Sequence, residues 1–128
     1  MRVDDLRVAR ILVVDDDLDI LELLRIRLEL SGHEVLTASD GEAGLKTALE
    51  HRPDLVVADW TMPRLTGIEM LARIRADPAI AGTPFILLTA RAQEVDEPGI
   101  DGFLAKPFSL ADLTASVEAA LARGHAEA

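Results

Sequence analysis

The stretch VVADWTMPRLTG, Val56 to Gly67, continues an apolar run begun at Leu55 and ends it in a lone carboxylate, Asp59. The pair Met62-Pro63 and then Gly67 turn the chain at once. A core-type run that stops on a charge has two readings. Asp59 caps a turn, or the strand is a rigid arm that holds the carboxylate in place. For an isolated aspartate the first reading usually wins, so the rest of the chain has to decide.

Outward from that stretch, strand and helix periodicities alternate. Ile11–Val14 is a short apolar run. Leu18–Leu30 repeats at helical spacing and stops at Ser31-Gly32. Glu34–Ala38 reads as a strand, Glu42–Glu50 as a helix ending before Pro53, and Leu55–Ala58 as the next strand. Ile68–Arg75 is helical up to Asp77-Pro78, and Phe85–Leu88 and Phe103–Ala105 are strands. Ser109 is an N-cap for a last helix to about Arg123, with Asp112 at the capping-box position and Leu110, Leu113, Val117 and Leu121 as its stripe. Strands apolar on both faces, alternating with helices, require an α/β fold: an open, doubly wound parallel sheet with helices on both faces.

Bulk properties narrow the function. The 128 residues suffice for one domain with a core, and that core is aliphatic, since there are three phenylalanines and one tryptophan. Acids outnumber bases 23 to 13 for a formal charge of −10, which argues against nucleic acid or an anionic membrane as a direct partner. There is no cysteine for disulfides or thiolate metal sites. The N-terminal stretch reads neither as a signal peptide nor as a membrane span, so a cytoplasmic protein is the expectation.

Ligands of such sheets bind beyond the carboxyl ends of the strands. Asp15, Asp16 and Asp17 follow the first strand, Asp59 the third, Thr89 the fourth, and Lys106-Pro107 the fifth. Neighbouring strand ends lie about 5 Å apart, so these groups converge. Carboxylates at about 4 Å repel by roughly 4 kcal/mol per pair at an effective dielectric near 20. A hard divalent cation, Mg²⁺ or Mn²⁺, resolves that repulsion. A lysine and a hydroxyl beside it suit a phosphoryl group, with a carboxylate as nucleophile. Asp17 reads as helix N-terminal acid only. An EF-hand reading of DDDLD fails, because Ile20 stands where that loop needs glycine and Ile26 where it needs glutamate. His33, His51 and His125 sit at element ends and read as solvated.

The segments ILVVDDD, DWTMPRLTG, FILLTA and GFLAKPF together resemble the receiver domain of two-component response regulators, over about Ile11 to Arg123. The resemblance implies a single receiver domain over 1–128 with a flavodoxin-like, five-stranded sheet in the order 2-1-3-4-5. It implies Asp59 as phospho-acceptor, with Asp15, Asp16, Asp59 and the Thr61 backbone carbonyl around Mg²⁺. Thr89 becomes the switch hydroxyl, Lys106 the phosphate-pairing cation and Phe103 the mobile aromatic, with plain core as the alternative for Phe103. Pro107 matches a cis peptide. The implied partners are a sensor histidine kinase or histidine phosphotransfer protein and a downstream effector. No enzyme is implied beyond the domain's own phosphorylation and dephosphorylation. The rival readings are a pseudo-receiver scaffold that is never phosphorylated and a small Mg²⁺-dependent aspartyl phosphatase using Asp15.

Two features stand apart. Only residues 90–105 separate Thr89 from Lys106, and ARAQEVDEPGIDG in that interval is poor in apolar residues. The family's fourth helix is therefore expected to be short or missing, with 90–102 mobile in the absence of phosphate. In the first helix, Ile20, Leu21, Leu24 and Leu28 form a core stripe, while Leu23, Ile26 and Leu30 form a second patch. That patch either packs partly on the last helix or docks a kinase helical hairpin. Only GHAEA follows Arg123, so a complete chain would act as a stand-alone receiver, whereas a fragment would have lost an effector.

Overall fold

The structure, a computed structural model, describes residues 8–126, with side chains through Arg123. The elements run β1 (Arg10–Val14), α1 (Leu18–Leu30), β2 (Glu34–Ala38), α2 (Gly41–His51), β3 (Leu55–Asp59), α3 (Gly67–Ala76), β4 (Phe85–Thr89), β5 (Gly102–Ala105) and α4 (Leu110–Ala126). The strands form one parallel sheet in the order β2-β1-β3-β4-β5. Asp59 and Thr89 are the last residues of their strands rather than the first residues beyond them.

The strands are apolar throughout because alternate residues serve opposite layers. Ile11, Val13, Leu55, Val57, Ile86 and Leu88 pack with Leu21, Leu24 and Leu28 of α1 and with Leu113, Val117 and Ala120 of α4. Their alternates Leu12, Val14, Val56, Ala58, Phe85 and Leu87 pack with Ala48 of α2 and with Met70, Leu71 and Ile74 of α3. Helices thus cover both faces.

Local chemistry fixes the ends that matter for the rim. The Asp17 carboxylate accepts from the Asp19 and Ile20 amides and starts α1. Thr66 and Glu69 form a reciprocal capping box that starts α3. Ser109 Oγ accepts from the Asp112 amide at 3.0 Å, as an N-cap should. Gly67 is required by close approach, since a Cβ there would overlap the carbonyl of Asp59.

Two expectations change. The α4 stripe is Leu113, Val117 and Ala120 with Leu121 partly buried, while Leu110 is exposed. Leu110 is the first residue of the helix, and the chain enters there from outside the core. His33 is not simply solvated: it is half-buried, and its Nδ1 accepts from the Ala9 amide at 3.3 Å. His51 is exposed, and the side chain of His125 lies outside the described residues. Leu23, Ile26 and Leu30 are all exposed, so this patch lies outside the core.

The fourth crossover carries no α-helix. It contains a single 3-10 turn, Ala92–Glu94, because the interval is too short and too polar to lay a helical stripe on the sheet. Arg75 of α3 organises its far half. The guanidinium donates to the carbonyls of Gly99, Ala81 and Thr83 and to the Asp101 carboxylate, which also accepts from the Phe85 amide. Arg123 donates to the Asp101 carbonyl.

Candidate phosphoryl-acceptor site

The carboxyl ends of β1, β3, β4 and β5 share one rim. Asp15 follows β1 and is fully buried, its Oδ1 accepting from the Asp17 amide at 2.9 Å. Asp59 is nearly buried at the end of β3. Lys106, just past β5, reaches between them, with Nζ 2.6 Å from Asp59 Oδ1 and 3.4 Å from Asp15 Oδ2. The Lys106 amide donates to the Thr89 carbonyl at 2.8 Å, which ties the lysine's backbone to the β4 end. The Lys106–Pro107 peptide is cis.

The electrostatics follow from burial. Desolvation raises the Asp15 carboxyl above its ordinary range, helped by the neighbouring Asp59 charge and opposed by the Asp17 amide and Lys106. For Lys106, burial alone would lower the ammonium, but Asp59 and Asp15 outweigh it and the group is held above its usual range.

Asp16 is exposed, yet one oxygen each from Asp15, Asp16 and Asp59 lie within 4.8 Å of one another. Three carboxylates with one ammonium leave excess negative charge, and an all-oxygen donor set suits a hard divalent cation. Beside them, Asp59, Trp60, Thr61, Thr89, Ala90, Arg91 and Lys106 line a cavity of about 170 Å³. Thr89 is buried, and its Oγ1 accepts from the Arg91 amide at 2.8 Å.

Asp15, Asp16, Asp59, Thr89 and Lys106, singled out in the sequence, reach this rim, while the Asp17 carboxylate caps α1 instead. Phe103 does not reach it: it is 47% exposed on β5, which removes the reading of it as plain core. Sequence reasoning missed Arg91, whose guanidinium lies 4.5 Å from the centre of the Trp60 ring. It also missed Arg64, which holds a left-handed φ of 70° and pairs with Asp40 at 2.8 Å, fastening the β3–α3 loop to the start of α2. No local pattern marks either arginine.

A five-stranded 2-1-3-4-5 parallel sheet with an acid cluster, a hydroxyl and a lysine at its carboxyl rim defines a receiver-type signalling domain. The family model for the response regulator receiver domain matches residues 11–118, and the chain belongs to that family. It is 44% identical over 119 residues to the alkaline phosphatase synthesis transcriptional regulatory protein PhoP of Bacillus subtilis, covering 89% of this chain and 49% of that protein. It is 45% identical over 119 residues to the transcriptional regulatory protein PrrA of Mycobacterium tuberculosis, covering 89% and 50%. The chain thus spans about half the length of these relatives.

Among solved structures it resembles the chemotaxis response regulator CheY4 of Vibrio cholerae, with a TM-score of 0.83, 32% identity, and coverage of 89% of this chain and 99% of that one. It also resembles the receiver domain of the sensor histidine kinase PA1611 from Pseudomonas aeruginosa PAO1, with a TM-score of 0.84, 28% identity, and coverage of 91% and 99%. That structure has a magnesium ion coordinated in its active site cleft. Among the described residues, no helix is long and apolar enough to cross a membrane.

Proposed function

We propose that this receiver domain accepts a phosphoryl group on the Asp59 carboxylate from a phosphohistidine of a sensor histidine kinase or phosphotransfer protein. One carboxylate oxygen forms the new O–P bond as the donor's P–N bond breaks. The imidazole leaves with that electron pair and takes a proton from solvent. Lys106 carries the argument: its ammonium already lies on Asp59 and is placed to pair with the incoming phosphoryl oxygens. Thr89 offers its hydroxyl from the adjacent strand end. Phe103, exposed on β5, is the aromatic assigned to follow Thr89 in the switch.

Asp15, Asp16 and Asp59, with the Thr61 carbonyl, are the groups to hold Mg²⁺ or Mn²⁺. When bound, the ion neutralises charge on the transferring group. Asp15 is a poorer nucleophile candidate than Asp59, because it is fully buried and accepts from both the Asp17 amide and Lys106. That geometry disfavours the phosphatase reading.

The unit acts as a single receiver domain with its core over 11–123, in the cytoplasm, and controls a downstream effector protein or domain. It catalyses only its own phosphorylation and dephosphorylation. The test is intact mass after acetyl phosphate and Mg²⁺. A gain of one phosphoryl group in the wild type and none in Asp59→Asn is expected. No gain in the wild type returns the pseudo-receiver scaffold to first place, and phosphate on Asp15 returns the phosphatase.

A further inference from the structure

Arg91 ties three parts of the molecule together. Its amide donates to Thr89 Oγ1 at 2.8 Å. Its guanidinium carbon lies 4.5 Å from the centre of the Trp60 ring, one residue from Asp59. Its carbonyl accepts from the Glu94 amide at 2.9 Å in the 3-10 turn, and its Nε lies 3.7 Å from the Glu94 carboxylate. Val95, next in the chain, joins Trp60 and Ile68 against the α2–α3 side of the core. The segment that replaces the crossover helix thus begins at a residue in contact with the site.

We infer that Arg91 is a positioning residue that passes the state of Asp59 to residues 92–97, through a contact with Trp60 made in the unphosphorylated domain and broken on phosphorylation. The inference rests on Asp59 being the acceptor. A half-exposed cation–π contact shifts an equilibrium by a factor of only about two to five. Phosphorylation replaces the single carboxylate charge next to Trp60 with an acyl phosphate of up to about two, a gain of about one negative charge. A guanidinium is drawn to that anion more strongly than to an indole face. Lys106 is already shared between two carboxylates and does not compete for the Trp60 ring. Thr89, turning its hydroxyl toward the same oxygens, loosens its hold on the Arg91 amide. Both effects move Arg91, and with it the first bond of the 3-10 turn. The far end cannot follow, because Arg75 grips Gly99 and Asp101. The displacement is therefore taken up in 92–97, ahead of Pro98-Gly99.

The experiment uses the full chain with Mg²⁺ and saturating beryllofluoride as the phosphoryl mimic, so that changes in phosphorylation rate do not enter. Acetyl phosphate mass gain is the parallel control. Trp60 is the one tryptophan and reports the stack by its emission. In the wild type, beryllofluoride should shift that emission and change amide exchange across 92–97 by about threefold or more, leaving 99–101 unchanged. In Arg91→Ala, exchange across 92–97 should respond by less than about 1.5-fold. Arg91→Lys keeps the charge without the planar stack and should fall between. A wild-type-sized response in Arg91→Ala, or none in the wild type despite mass gain, overturns the coupling. Absence of mass gain overturns the acceptor reading and the coupling with it.

Discussion

Lys106 Nζ lies 2.6 Å from Asp59 Oδ1 and 3.4 Å from Asp15 Oδ2, so one ammonium serves two carboxylates that would otherwise repel. Because both acids hold it above its ordinary pKa range, it stays charged wherever the protein is folded near neutrality. Lys106→Met should slow phosphorylation by acetyl phosphate about a hundredfold or more, as loss of a preorganised charge at a reacting centre does. The time course of intact mass reads this, and an unchanged rate removes Lys106 from the chemistry.

The acid cluster separates fold from metal at Asp16, which is exposed where Asp15 is buried. Asp16→Asn should leave metal-free stability within about 0.5 kcal/mol. Its Mg²⁺ affinity, read by Trp60 emission, should fall about tenfold or more, since one charged ligand is lost. For the wild type, Mg²⁺ at a hundred times its Kd should stabilise the fold by about 2.7 kcal/mol, and a chelator should abolish that gain.

His33 predicts an acid-side loss of stability. Burial lowers its pKa from 6.5, with Glu118 opposing, and the neutral Nδ1 accepts from Ala9. The unfolded chain therefore takes up the proton first. Its contribution is present above about pH 6.5 and is lost as pH falls from there through the lowered folded value. Urea midpoints across that window should decline in the wild type and flatten in His33→Gln. Equal slopes would rule the histidine out.

Arg75→Ala strips donors from the Gly99, Ala81 and Thr83 carbonyls and from the Asp101 carboxylate. A cost of about 2 kcal/mol in urea unfolding is expected. Arg75→Lys should recover little of it, because an ammonium lacks the fork. The clamp also narrows where the shortened crossover is free: amides at 99–101 should exchange slowly and those at 92–97 quickly in the absence of phosphate. Protection at 92–97 equal to that of β4 would contradict this.

Gly67→Ala drives a methyl into the backbone carbonyl of Asp59. A destabilisation of about 1–3 kcal/mol is expected from overpacking. Phosphorylation should slow as well, since Asp59 must shift to make room. A folded variant with wild-type phosphorylation would show that the β3 end tolerates movement.

The sequence alone determined the element order, because the signals for each element are local. Periods of two and of 3.6 residues, an N-terminal acid at Asp17, a cap at Ser109, and stops at Gly32 and Pro78 all act within a few positions. It also determined which residues sit at strand ends, and the parallel connection of the strands then brought Asp15, Asp59, Thr89 and Lys106 to one rim. Only the tertiary structure decided what meets across long separations: Arg75 on Asp101, Arg91 on Trp60, Arg64 on Asp40, and His33 beneath the Ala9 amide. Such contacts leave no periodicity, because a flexible arginine or a histidine at an element end finds its partner only after the sheet has set the distances. For the same reason the exposure of Phe103 and Leu110 escaped the pattern: local hydropathy records what a side chain is, not whether the chain has yet entered the core.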